Sequence, residues 1–111
     1  MPVVAAINGH AFAGGPVLAL AWDWRVMRKD RGFFWFNEVE VPLVIPTPLY
    51  QLIRDKCDRN IWPDMVMRGK RFSALEAQEA RLVDAVADES ELIDKAIELA
   101  ESLGEKDRFA F

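Results

Sequence analysis

The sequence predicts an α/β fold: a small sheet with helices packed on it. Three observations carry that expectation. A short apolar run, Val3-Val4-Ala5-Ala6-Ile7, is bounded by Pro2 and Asn8-Gly9, as a buried strand is. A loop rich in small residues, Gly9 to Gly15, leads from it into an apolar helix start at Pro16. From Leu49 onward, apolar residues recur at helical spacing between capping and breaking residues. Strand, helix, strands and then helices is the order of an α/β unit.

Each element has its own reason. Pro16 stands where a first helical residue tolerates a missing N–H, so Val17 to Trp22 reads as a buried helix. Trp24 to Met27 and Phe33 to Phe36 are β-favouring runs separated by the polar turn Arg28 to Gly32. Pro42, Pro46 and Pro48 punctuate a loop, because each fixes φ and removes a donor. Leu49 to Cys57 follows as a helix, and Trp62 to Arg68 as another, with Pro63 near its start and Gly69 beyond its end. Ser73 and Glu76 have capping-box spacing. Leu82 to Val86 reads as a short strand or an extended link. Asp88 and Glu91 then open a helix whose Leu92, Ile93, Ala96, Ile97, Ala100 and Leu103 trace one apolar face up to Gly104, with Glu91 and Lys95 placed to pair. With no repeat or linker, residues 1–111 read as a single unit.

Composition sets bounds on function. A chain of 111 residues, 51% hydrophobic and 29% charged, is globular in balance and long enough for one core. Its longest apolar run, Ala11 to Trp22, is broken by Gly14, Gly15 and Pro16, so neither a membrane span nor a signal peptide is expected. A net charge of −4 argues against a nucleic-acid partner. Cys57 is the single cysteine, which excludes an internal disulfide and suggests a reducing, intracellular setting. His10 is the single histidine, with no cysteine or carboxylate cluster at ligand spacing, so no metal site is expected. Charge is uneven: residues 24–71 hold ten basic and six acidic side chains, residues 72–111 four and eleven. The first block could attract an anion or simply be a solvated face.

The segment that carries chemistry is Asn8-Gly9-His10-Ala11-Phe12-Ala13-Gly14-Gly15-Pro16. Backbone N–H groups at a helix start are unpaired and backed by the positive end of the helix dipole. Glycines allow a ligand close to that backbone, an arrangement suited to an oxyanion or a phosphate. On spacing alone the signal is weak, and close packing is the commoner role of such a Gly-Gly pair.

A resemblance narrows this. Val4 to Gly15 resembles the central signature of the crotonase superfamily, the enoyl-CoA hydratases and isomerases. It continues through Leu18 to Met27, Arg31-Gly32-Phe33-Phe34, Phe36-Asn37-Glu38-Val39, and Gly69 to Ala74 on to Leu82-Val83-Asp84. Asn37-Glu38-Val39 followed by a proline-rich loop is most similar to eukaryotic Δ3,Δ2-enoyl-CoA isomerases. The resemblance implies a partial crotonase-like ββα-spiral, in which residues 1–111 form a single but incomplete domain. It places one oxyanion-hole N–H on Gly14 and a catalytic carboxylate on Glu38, and implies that Ala11, Phe12, Ala13, Gly14, Asn37 and Val41 contact substrate. Hydratases carry a second Glu where this chain has Val17, so one carboxylate implies proton shuttling in a 3-enoyl thioester rather than water addition. A hydratase or another crotonase reaction stays as the alternative, and so does a catalytically inactive interaction subunit.

The same resemblance implies an acyl-CoA thioester as ligand and no cofactor other than the coenzyme A of the substrate. It implies a homo-oligomer of the family's trimeric kind, or a complementary half that would supply the other oxyanion donor, further strands and coenzyme A contacts. Peroxisomal, cytoplasmic and mitochondrial locations are all open, since Phe109-Ala110-Phe111 is not a Ser-Lys-Leu ending. Three positions depart from the family pattern. Ala13 replaces the first loop glycine, so φ below zero is expected there. Pro42 stands in place of a glycine and is expected to re-aim the loop. Arg81 replaces a helix-ending glycine, at a cost of roughly 1 kcal/mol if a left-handed turn persists.

Overall fold

The structure, a computed structural model, describes residues 1–107 and 109; the last two residues of the Phe109-Ala110-Phe111 ending lie outside them. Three short strands, β1 (Val4–Ile7), β2 (Trp24–Arg28) and β3 (Ala85–Ala87), form a parallel sheet in the order β1-β2-β3. In register, Val4 to Ile7 face Trp24 to Met27, and Val26 to Arg28 face Ala85 to Ala87. That register sorts the side chains onto two faces, as the twofold strand period requires. Val4, Val26, Ala85 and Ala87 meet α4 (Leu92–Gly104), while Ala5, Ile7, Met27 and Val86 meet the larger core. Parallel strands need cover on both faces, and here both have it except at Ala6, which is exposed.

The larger core gathers α1 (Gly14–Ala21), α2 (Thr47–Lys56) and α3 (Ala74–Glu79) around the fully buried Leu20, Phe34, Met65 and Leu82. α3 begins on the expected cap: Ser73 Oγ accepts from the Glu76 N–H at 3.3 Å. The Glu76 carboxylate accepts from that same hydroxyl rather than reaching the backbone.

Several expectations are corrected. α1 starts two residues before Pro16, at Gly14, and the proline sits inside the first turn, where its missing N–H has no intrahelical partner to lose. Phe33–Phe36 is no sheet strand. Phe34 makes two isolated bridges, parallel to Ala11 and antiparallel to Phe72, because Ala11 then enters a turn and Phe72 a helix cap. Residues 62–68 form no α-helix: a 3₁₀ turn, Arg59–Ile61, precedes a wider π-type turn, Pro63–Met67, closed by the Arg68 N–H on the Pro63 carbonyl at 3.1 Å. On α4, Leu92 and Ala96 are buried, whereas Ile93 and Ile97 point outward at 57% and 49% exposure. They lie one residue, about 100°, further round the helix than the face the sheet can cover. Lys95 donates to the Val86 carbonyl at 3.0 Å, tying α4 to β3 instead of pairing with Glu91.

A polar hub not foreseen in the sequence locks the two ends of the core together. Arg25 on β2 is 6% exposed. Its Nε donates to the Leu82 carbonyl at 2.7 Å, and its Nη1 to the carbonyls of Trp22 at 3.1 Å and Ala19 at 3.3 Å. Asp84 Oδ2 accepts from the Arg25 backbone N–H at 2.8 Å and lies 3.7 Å from the guanidinium. Asp23 has an equivalent local task, its carboxylate accepting from the Val3 N–H at 2.8 Å where β1 begins.

Candidate active site

β1 delivers the chain to the loop at 8–13, and tight contacts hold that loop. Gly32, at φ +95, lies so close to Gly9 that a Cβ built on it would stand 2.2 Å from the Gly9 carbonyl carbon; no side chain fits there. His10 Nδ1 accepts from the Phe33 N–H at 3.2 Å and its ring stacks on Phe33, so His10 is a packing residue of the loop. Ala11 hydrogen-bonds through both backbone groups, its N–H to Phe33 and its carbonyl to Trp35.

At the loop's end the Gly15 N–H closes a turn on the Phe12 carbonyl at 2.9 Å, with Ala13 at φ 52, ψ −116. The sequence expectation of a negative φ at Ala13 is therefore wrong. The backbone keeps a conformation natural to glycine, the first corner of a type II′ turn, and the alanine bears the strain. Arg81 does the same at φ 60, as expected if its left-handed turn persists. The turn aims the start of α1 outward. Among the described residues the Gly14 N–H meets no acceptor, and a Cβ added at Gly14 would touch nothing within 4 Å. The peptide is open, at the positive end of a helix.

Facing it is the turn at 37–42. The Asn37 carbonyl accepts from the N–H groups of Glu40 at 3.0 Å and Val41 at 3.2 Å, and the Glu38 carbonyl accepts from Leu43 at 2.9 Å. A cavity of about 360 Å³ lies between the turn and α1, lined by Ala13, Gly14, Val17, Asn37, Glu38, Val41, Leu43, Val44, Pro46 and Leu49. The structure thus brings Ala13, Gly14, Asn37, Glu38 and Val41 of the sequence candidates to one wall. Ala11 and Phe12 are not part of it: Ala11 is buried in the backbone bridge, and Phe12 turns outward onto Trp35. Leu43, Val44, Pro46 and Leu49 had been read only as loop and helix start. The proline spacing that ends this loop on α2 is the feature that could have shown them as a wall.

Glu38 is the cavity's single carboxylate. Its Oε2 is buried and makes no hydrogen bond among the described residues. A carboxylate oxygen held in apolar surroundings without a donor is free to take a proton from a bound molecule. Val17 stands in the same wall and offers nothing to polarise water. The chemistry this arrangement permits is proton abstraction beside a carbonyl whose developing negative charge meets the Gly14 N–H.

Other features lie elsewhere. Cys57 is buried at the end of α2, and burial pushes its thiol up to about 12, so it is no nucleophile. Among the described residues no group of three or more His, Cys, Asp and Glu is placed to hold a metal ion, and no helix is long and apolar enough to cross a membrane. In the basic block, the exposed Arg54, Arg68, Lys70 and Arg71 all lie within 4.0 Å of a carboxylate. That is the behaviour of a solvated, paired surface.

The family model described as Enoyl-CoA hydratase/isomerase matches residues 1–111. Enoyl-CoA delta isomerase 2, peroxisomal, from Arabidopsis thaliana is 37% identical over 109 residues, covering 96% of this chain and 45% of its own length. Carnitinyl-CoA dehydratase from Salmonella paratyphi A is 39% identical over 102 residues, covering 92% and 39%. The chain spans less than half the length of these curated relatives. A crystal structure of an enoyl-CoA hydratase/isomerase family protein from Pseudomonas syringae superposes with a TM-score of 0.91 at 26% identity, covering 96% of this chain and 46% of that one.

Proposed function

The chain belongs to the enoyl-CoA hydratase/isomerase family, and from that premise we propose that it serves the isomerisation of a 3-enoyl-CoA to the conjugated 2-enoyl-CoA. One observation carries the reading: among the described residues the cavity holds a single carboxylate with a buried, unpartnered oxygen, across from an open helix-start N–H, and the wall carries Val17 where the resemblance implies a hydratase's second acid. Water addition uses two acid–base groups; moving a double bond needs one that takes a proton and gives it back.

In this reading the thioester lies along the apolar wall of Val41, Leu43 and Val44 with its carbonyl toward Gly14. Glu38 takes the α-proton, and the C–H electron pair moves into the enolate while the Gly14 N–H stabilises the oxyanion. The protonated Glu38 then returns the proton at C4, and the double bond comes to rest between C2 and C3. The acyl-CoA thioester is the ligand, and coenzyme A enters only as part of it. The name of the Arabidopsis relative favours the peroxisome among the expected compartments. The family's trimeric kind of assembly, or a complementary half, remains the proposed partner.

A hydration–dehydration reaction is the second reading, favoured by the 39% identity to the carnitinyl-CoA dehydratase. The assay follows loss of a 3-enoyl-CoA and gain of the conjugated product by the full chain, beside formation of a 3-hydroxyacyl-CoA from the 2-enoyl substrate. Isomerisation without hydration is expected. Glu38→Gln should lower kcat about 10²–10⁴-fold, the usual worth of a positioned base, while still binding a non-reactive acyl-CoA. A 3-hydroxyacyl product would transfer the chain to the second reading. Full turnover in Glu38→Gln would move the base elsewhere.

A further inference from the structure

The loop that leads to Gly14 rests on the Trp35 ring, and Arg71 links that ring to the turn bearing Glu38. Trp35 is buried, and its indole lies parallel to Phe12, with centroids 5.0 Å apart and planes 14° apart. The Arg71 guanidinium carbon stands 5.0 Å from the same indole centroid. Trp35 Nε1 is buried and, among the described residues, donates to nothing. Ring contacts rather than a hydrogen bond therefore set the orientation of the indole. Arg71 also reaches the other side of the site. It lies 3.9 Å from Glu40 Oε1, and the Glu40 N–H closes the turn on Asn37 that carries Glu38. Its own segment presses on that turn: a Cβ on Gly69 would stand 3.0 Å from Val39 Cγ1 and 3.6 Å from Glu40 Cγ.

We infer that Arg71 is a positioning residue. Through Glu40 it holds the Glu38 turn, and through Trp35 and Phe12 it holds the Gly14 loop, fixing the separation of proton acceptor and oxyanion donor. This rests on the roles proposed for Glu38 and Gly14. The Arg71 side chain is 56% exposed, and each of its contacts is individually weak, so folding does not depend on it. Catalysis does, because a 1 Å misplacement can cost about 10²-fold in rate.

The experiment compares Arg71→Ala, Arg71→Lys, Glu40→Gln and the double variant Arg71→Ala/Glu40→Gln in the full chain. Arg71→Ala should lower kcat about 10-fold, inside the range that misplacement allows, and leave KM, acyl-CoA affinity and melting temperature unchanged. Arg71→Lys keeps the charge between Glu40 and the indole and should recover part of the loss. The double variant should be no worse than Arg71→Ala, because both changes release the same contact. Amide NMR supplies a readout independent of turnover: the Gly14 and Glu38 resonances should move in Arg71→Ala, and those of Ala85 to Ala87 should not. Unmoved Gly14 and Glu38 amides overturn the inference whatever the activity. Equal losses of affinity and kcat overturn it too, since Arg71 would then touch substrate. If the parent chain turns over no 3-enoyl-CoA, the proposed reaction fails, and the amide shifts alone decide whether Arg71 couples the two loops.

Discussion

Two regions of this small core take a charged group out of solvent, Arg25 whole and Glu38 by one carboxylate oxygen, and they treat it in opposite ways. At the hub, Arg25 spends its guanidinium on the carbonyls of Leu82, Trp22 and Ala19, and Asp84 answers it from β3's approach. At the cavity, Glu38 presents a buried oxygen with no partner, walled by Val17, Val41 and Leu43. A charge compensated on every side belongs to the fold. One left uncompensated works against the fold, and the proposed proton transfer gives it a use. Positive-φ strain does not separate the two regions: Ala13, at φ 52, stands beside the second, and Arg81, at φ 60, adjoins Leu82 in the first.

The contrast can be broken at the hub first. Arg25→Met should cost about 3–5 kcal/mol, the usual penalty for removing one member of a buried, hydrogen-bonded charge set. That is a large share of the roughly 5–15 kcal/mol a domain has, and chemical denaturation would show it as a lower midpoint. A loss under about 1 kcal/mol would mean that the carbonyls find other donors or water.

At the cavity edge, Ala13→Gly should stabilise the chain by about 0.5–1 kcal/mol. Relief of roughly 1–2 kcal/mol of left-handed strain outweighs the greater chain entropy of glycine. Unchanged or lowered stability would show that the loop does not hold this residue at positive φ. The smallest effect concerns Cys57, which belongs to neither region. With its thiol pushed up to about 12 by burial, the folded chain keeps this proton longer than the unfolded one. Its contribution to stability is therefore complete below about pH 8.5, the ordinary thiol value, and is lost as pH rises toward the folded value. A thiol reagent at pH 8 should label the native chain only on unfolding, and rapid labelling of folded protein would contradict the burial.

Local chemistry made some of this legible and long-range geometry hid the rest. The strand at 4–7 and the Ser73 cap are written in runs of adjacent residues and stand where the pattern put them, while the helix at Pro16 starts two residues earlier than expected, at Gly14. Phe33–Phe36 has the composition of a strand but finds only single-residue partners at Ala11 and Phe72, which no local pattern encodes. Arg25 lies in an ordinary strand sequence; its carbonyl acceptors come from 3 to 57 residues away, and only folding brings them together. Gly14 and Glu38 were found through resemblance, since a glycine loop and a lone glutamate carry little specificity alone. The far wall of the cavity was missed because a proline-rich loop reads as punctuation until α2 gives it a surface to lean on. The negative φ expected of Ala13 failed because the turn from Phe12 to Gly15 fixes the backbone, and alanine is small enough to follow it.

The division between the two regions is tested most directly by making the same chemical change in both: carboxylate to amide, in Asp84→Asn and Glu38→Gln, read by equilibrium unfolding at neutral pH. Asp84→Asn should lose about 1–2 kcal/mol, because a charged acceptor of the Arg25 N–H becomes a neutral one. Glu38→Gln should unfold at the same point as the parent or later, because a buried charge without a partner is removed from the fold. If Glu38→Gln is destabilised as much as Asp84→Asn, Glu38 is a structural carboxylate, and the account of this cavity as the site of proton transfer is contradicted.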